Sequence, residues 1–305
     1  MRKLFNILLL LIVPATLWGQ LTPVTSQYVL NPLTINPAYA GSRGALNVAA
    51  FYRKQWTGIA GSPETMTLSA DAALLDRKLG LGLMIVNDRY GVTKENHIST
   101  AYSYKIEMEK SNLSFGLGAG LITTNTMYSD LIAIDPGDEN YLTDSRVFVV
   151  PEFSFGMNYS IKDYYIAFSV PKLLGYDFDF NKNKYTYSID PGTYYYLLNT
   201  GYLFTIGPKL KILPSTLINW KPGETPLFDL NTHVNFLDRF WAGVSYRSSK
   251  SITGLLQFAV IDQLKVAYTY DFDLGDLGRY SNGSHEIMIR YEFKYKVGVV
   301  NPLVF

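Results

Sequence analysis

The chain has 305 residues, enough for one large domain or two small ones, with 27 basic and 26 acidic residues, three histidines and no cysteine. That balance offers no clustered basic surface for nucleic acid. The missing thiols exclude disulfides, thiolate metal sites and a lipid-modified cysteine. His97, His233 and His285 lie far apart, without metal-ligand spacing, so no cofactor is expected.

In chain order, Arg2 and Lys3 precede an apolar run, residues 4–13, that is too short to cross a bilayer. Residues 14–19 suit a cleavage region, so residues 1–19 read as a signal peptide and Gln20 as the new N-terminus. Its removal leaves 25 basic against 26 acidic residues, a net charge near −1. Residues 20–45 form a separate segment with two Asn-Pro steps, Asn31-Pro32 and Asn36-Pro37, which favour turns and disfavour helix. This segment either folds into a barrel lumen as a plug or straps its rim.

From Leu46 the sequence becomes a series of period-two segments. Phe153, Phe155, Met157, Tyr159 and Ile161 alternate with polar or small residues, as do Phe228, Leu230, Thr232, Val234 and Phe236. Ile287, Ile289, Tyr291 and Phe293 do the same near the end. Successive strand side chains point to opposite faces, so each segment has an oily face and a polar face. About fourteen such segments begin near Leu46, Thr65, Leu79, Asn96, Asn112, Val149, Asp163, Tyr194, Lys209, Leu227, Phe240, Ser251, Leu264 and Ser284. No later apolar run reaches the roughly 18 residues of a membrane helix. A membrane location therefore requires a closed barrel, since only helices and barrels satisfy every backbone group in lipid.

The expected fold is all-β, an antiparallel transmembrane β-barrel over residues 46–297 with a tail at 298–305. The 24 Tyr, 17 Phe and 4 Trp suit a wall that is apolar in the middle and wet at its rims. Short turns at 76–78, 162–163, 207–208, 238–239 and 262–263 are expected to alternate with longer outer links at 87–95, 123–148, 171–193 and 274–283. A soluble β-sandwich or propeller is the competing architecture.

The motif set is more specific. It comprises residues 27–42 with Asn31, Pro32, Asn36, Pro37 and Tyr39, then Arg53, Gln55, Trp56 and Gly58, then 80–83 and 87–91, and finally 284–291. Together these resemble the PorP/SprF family of membrane proteins from the type IX secretion system of Bacteroidetes, over essentially the whole chain after the leader. The resemblance implies an outer-membrane protein of the secretion and gliding machinery. Its implied partners are a periplasmic ring with its peptidoglycan-linked protein, or a large secreted surface protein. One departure is the ending Leu303-Val304-Phe305, where a basic residue before a terminal aromatic is expected.

Read physically, Arg53 and Trp56 form either a lumen network and partner contact or a plain lumen salt bridge with an interfacial aromatic. Tyr291 and Phe293 are candidates for a barrel-assembly signal, with Phe305 as the competitor. Gly116, Gly118 and Gly120 alternate with apolar residues inside one strand and read as small lumen-facing residues, not a phosphate loop. Asp271, Asp273 and Asp276 read as an acidic outer loop, as do Asp177 and Asp179, since a calcium loop's Gly and terminal Glu are missing. No nucleophile, base and acid set is visible, so no enzymatic activity is expected. The expected function is a scaffold for secretion or anchoring of client proteins. The alternative is a channel or carrier for small solutes.

Overall fold

The computed structural model describes residues 25–74, 78–130, 144–179 and 184–293. The expected leader (1–19) and tail (298–305) lie outside these residues. The strands are β1 (Leu46–Lys54), β2 (Glu64–Leu74), β3 (Leu79–Tyr90), β4 (Thr93–Glu107), β5 (Ser111–Thr126), β6 (Phe148–Ile161), β7 (Tyr164–Val170), β8 (Gly175–Asp179) and β9 (Lys184–Ser188). They continue with β10 (Tyr196–Tyr202), β11 (Phe204–Ile206), β12 (Leu210–Trp220), β13 (Leu227–Phe236), β14 (Phe240–Arg247), β15 (Ser251–Ala259), β16 (Leu264–Asp273) and β17 (Ser284–Phe293).

Strands β1–β7, β10 and β12–β17 form one closed antiparallel ring of fourteen, each paired with its chain neighbours. The first and last strands close it, with Leu46 opposite Phe293 and Lys54 opposite His285. β11 extends the line of β10 and pairs with the start of β12. All fourteen ring strands begin within three residues of the expected starts. Closure leaves the fourteen-strand ring without an edge strand, which is what lipid demands of a sheet.

Which face holds the apolar side chains separates a membrane barrel from a soluble sheet. Large apolar residues such as Leu68, Leu83, Ile98, Leu117, Leu121, Val244 and Ile289 are exposed on the outside. The inside holds Asn47, Ser69, Asp71, Asn231, His233, Gln257, Thr269 and Glu286, all buried. A soluble sandwich would show the reverse, and so much exposed apolar surface is tolerated in lipid and not in water. Aromatics gather at the strand ends. Tyr104, Tyr164, Tyr202, Phe236 and Phe293 lie exposed at the end where β1 begins, and Tyr52, Tyr90, Trp220, Tyr246 and Phe272 at the other. These are the two interfacial belts of a membrane barrel.

The end where β1 begins carries tight turns. Leu237 and Asp238 have φ of 57° and 53°, the left-handed pair of a primed β-turn, within the three-residue link from Phe236 to Phe240. At the opposite end lie the longer connections, from β5 to β6 and from β7 to β10. One expected long link is corrected. Residues 87–95 are mostly strand, because β3 and β4 run on to a two-residue turn at Gly91 and Val92. Their polar residues pair across the hairpin, as Asn87 Nδ2 donates to Asn96 Oδ1 at 2.6 Å. The link 171–193 also holds structure of its own, the β8–β9 hairpin.

Candidate functional site

Residues 25–42 touch the inner wall on almost every side. Each Asn-Pro step opens a single 3-10 turn, Pro32–Thr34 and Pro37–Tyr39. Proline suits the first helical position because its missing N–H is one that would go unpaired there. The Asn36 side chain caps the second turn by accepting from Ala38 N at 2.8 Å. Its amide also donates to the carbonyls of Met157 and Phe168, at 3.0 and 3.1 Å. Asn31 Nδ2 donates to Ser69 Oγ at 2.8 Å. Ser103 Oγ donates to the Ala40 carbonyl, and Ser169 Oγ to the Ile35 carbonyl, both at 2.7 Å. Gly41 N donates to Asp71 at 3.0 Å, and Asn231 Nδ2 donates to the Tyr28 hydroxyl at 2.7 Å. Tyr28 itself lies outside any strand, and burial pushes its phenol well above the usual range, with the Asp229 carboxylate adding to the shift.

Glycines clear the space for this path. A Cβ on Gly80 would lie 2.0 Å from the Ala40 carbonyl oxygen, and one on Gly116 would lie 2.2 Å from Ala38 N. A Cβ on Gly156 would lie 2.0 Å from Asn36 Oδ1. Hydrogen bonds and these close approaches tie the segment to ten of the fourteen ring strands: β1–β7, β13, β16 and β17. Eighteen residues can reach that many strands only from inside the ring.

One end of the segment is held by charge. Arg53, on β1, donates from Nη2 to Asp271 at 2.7 Å and from Nη1 to Glu286 at 2.9 Å. Arg53 Nη1 also reaches Ser26 Oγ at 2.9 Å. Ser26 then binds both acids, through N to Glu286 at 3.0 Å and through Oγ to Asp271 at 2.7 Å. The Thr25 hydroxyl donates to the second Glu286 oxygen, and Thr253 donates to Asp271 at 2.7 Å. Arg53, Asp271 and Glu286 are all buried. At the other end, Asn47 and Gly41 share Asp71, while between the two ends Arg290 donates to the Leu30 carbonyl at 2.7 Å.

Among the sequence-selected residues, the lumen brings together Asn31, Asn36 and Arg53, with Pro37 buried and Pro32 and Tyr39 partly exposed beside them. Gln55 and Trp56 stand apart in the β1–β2 link. There Gln55 N donates to the Pro63 carbonyl and Trp56 N to Ser284 Oγ, and Trp56 adopts a φ of 45°. Tyr291 and Phe293 face outward at the end of β17 with ring centroids 4.6 Å apart.

Asp271 corrects the expectation of an acidic outer loop. It belongs to β16, where the alternation Tyr268, Tyr270, Phe272 outward continues and turns Asp271 into the lumen. Glu286 belongs in the sequence to the 284–291 motif, with nothing local to mark it as an ion-pair partner, and Ser26 lies just outside the 27–42 motif. Among the described residues no three His, Asp or Glu side chains group as a metal site. No described helix is long and apolar enough to cross a membrane.

The family model for the type IX secretion system membrane protein PorP/SprF matches residues 18–291. The chain belongs to the PorP/SprF family. Its link to type IX secretion components follows from that membership. No curated protein matches the sequence. Among solved structures, the outer membrane protein Omp33 of Acinetobacter baumannii is similar at 8% identity and TM-score 0.51, covering 82% of this chain and 98% of its own. The CymD monoaromatic hydrocarbon channel is similar at 12% identity and TM-score 0.50, covering 91% and 95%. At such identities these likenesses concern the fold alone. For this PorP/SprF chain, that fold is an outer-membrane β-barrel.

Proposed function

We propose that this PorP/SprF protein is a non-enzymatic, protein-binding barrel of the type IX secretion and gliding machinery, with residues 25–42 as a lumen plug. The supporting observation is that this segment is bound on ten sides of the ring, and its charged end is held by Arg53, Asp271 and Glu286. A barrel filled this way presents two surfaces for work instead of a bore. The tight-turn end faces the periplasm after cleavage of the leader, and meets the ring and its peptidoglycan-linked partner. The longer links, with the β8–β9 hairpin, face outward and meet the exported client. Export or anchoring then proceeds by scaffolding, with no bond made or broken by this chain. The test is the surface and secreted proteome of a strain lacking the protein. Loss of one large surface protein, or of many exported proteins together, is expected. An unchanged exported set would sink the reading and favour the solute channel.

A further inference from the structure

The outward face of the β3–β4 hairpin changes character in steps toward the end with the longer links. Ile85 and Ile98 stand opposite each other, and with Leu68 and Leu121 on the flanking strands they form an exposed oily row. The next outward pair is Asn87 and Asn96, whose amides bond at 2.6 Å. Beyond it, one residue pair short of the strand ends, Arg89 faces Lys94. Four residues along a tilted barrel strand climb about 10 Å. That is enough to pass from acyl chains into a headgroup layer about 5–8 Å deep.

Like charges directly opposite each other destabilise a sheet unless an anion lies between them. Lys265 and Arg290, also opposite each other, have one, since Glu292 lies 3.4 Å from both. Arg89 and Lys94 do not: among the described residues neither side chain makes an ion pair or a hydrogen bond. Glu64 is the neighbour of Arg89 across β2, but Lys54 and the Tyr52 hydroxyl take its two oxygens, at 3.0 and 2.8 Å. Asp88 and Glu95 alternate into the lumen, where the Thr65 and Tyr90 hydroxyls bind them at 2.7 and 2.9 Å. The outward cation pair is left open to its surroundings.

We infer that Arg89 and Lys94 bind the phosphate of a membrane lipid whose acyl chains lie along Ile85, Ile98, Leu68 and Leu121. The arginine fork matches phosphate oxygens two at a time, and the lysine adds a point charge from the facing strand. The Asn87–Asn96 pair then falls at the level of the lipid's ester or amide linkages. An acidic protein or a free phosphate would use the cations but not the oily row beneath them. Lipid binding here is independent of the scaffold role; with the orientation proposed above, the lipid belongs to the outer leaflet.

The test is native mass spectrometry of the folded barrel in uncharged detergent. It is titrated with phosphatidic acid, diacylglycerol of the same chains, inorganic phosphate and a glutamate-rich peptide. The wild type should retain phosphatidic acid and no diacylglycerol, and neither phosphate nor peptide should compete at equal concentration. Arg89→Gln with Lys94→Gln should bind phosphatidic acid about tenfold more weakly. Lys162→Gln with Lys209→Gln removes two exposed cations at the opposite rim and should bind like the wild type. Heat-modifiable migration shows that each variant holds a folded barrel. Without lipid, the first variant should be at least as heat-stable as the wild type, because a repulsive pair is gone. Equal weakening in both double variants would reduce the effect to general charge and overturn the site. Equal retention of diacylglycerol would leave only an oily surface. Competition by inorganic phosphate would leave a plain anion site, and competition by the peptide a protein-docking one. Each of these, or no retained lipid in a folded wild type, would overturn the inference.

Discussion

Arg53 and Glu286 stand directly opposite each other in the register that joins the first strand to the last, with Nη1 and Oε2 2.9 Å apart. The ion pair therefore sits on the seam that closes the ring, between residues 233 positions apart in the chain. Ser26 bonds to both partners, so closure of the wall and seating of the inner segment share one cluster. Breaking a buried pair by removing one partner typically costs about 3–5 kcal/mol, because the other charge is left uncompensated.

Arg53→Ala leaves Asp271 and Glu286 buried without their cation. The barrel still inserts, since its fourteen-strand pairing is untouched, but the 25–30 region loosens and function is lost. Hydrogen exchange of that region should accelerate while β4–β6 stay protected. Client surface levels should fall. A triple variant, Arg53→Met with Asp271→Asn and Glu286→Gln, should recover much of the lost protection, because no lone charge remains. Normal client levels in Arg53→Ala would count against this role.

Gly116→Val drives a side chain into the Pro37–Ala38 backbone, which lies 2.2 Å from where the Cβ would be. It should displace the segment without breaking β5. Gly254→Val is the matched control, because nothing lies within 4 Å of its Cβ position. Limited proteolysis should cut within 25–42 in the first variant and not in the second. Equal resistance in both would refute the close packing.

Asn36→Ala removes a turn cap and two donors to the wall, each worth about 0.5–1.5 kcal/mol. The expected outcome is a local loss of exchange protection over 36–42 with the melting temperature of the barrel little changed. A global drop in stability would mean that the turn supports the ring itself.

Tyr291→Ala with Phe293→Ala should slow assembly, read as a larger unfolded fraction in heat-modifiability gels, because both rings face outward at the end of the closing strand. Deletion of 298–305 should leave insertion intact. Insertion lost on that deletion, and kept in the double variant, would transfer the assembly role to the tail.

Most of the wall was legible because a barrel strand writes its two environments in alternate residues. That pattern located all fourteen starts and turned Arg53 and Gly116 inward. The 87–95 stretch misled because β3 and β4 extend beyond the oily belt, where outward positions such as Asn87 and Asn96 are polar while remaining strand. Asp271 was lost for a related reason: three nearby aspartates resemble a loop until the aromatic alternation around them is followed to Phe272. The pairing of Arg53 with Glu286 needed the closure register, which no local pattern carries. Ser26 had no signal at all, since its role comes from where the segment lies and not from its neighbours in sequence.

The most direct measurement is single-channel conductance in planar bilayers, comparing the mature protein with a variant lacking residues 25–42. The account predicts a silent wild type and a steady open pore in the variant, because fourteen strands enclose space once the segment is gone. A steady open pore in the wild type would contradict it and make passage of solutes, not binding of proteins, the work of the lumen.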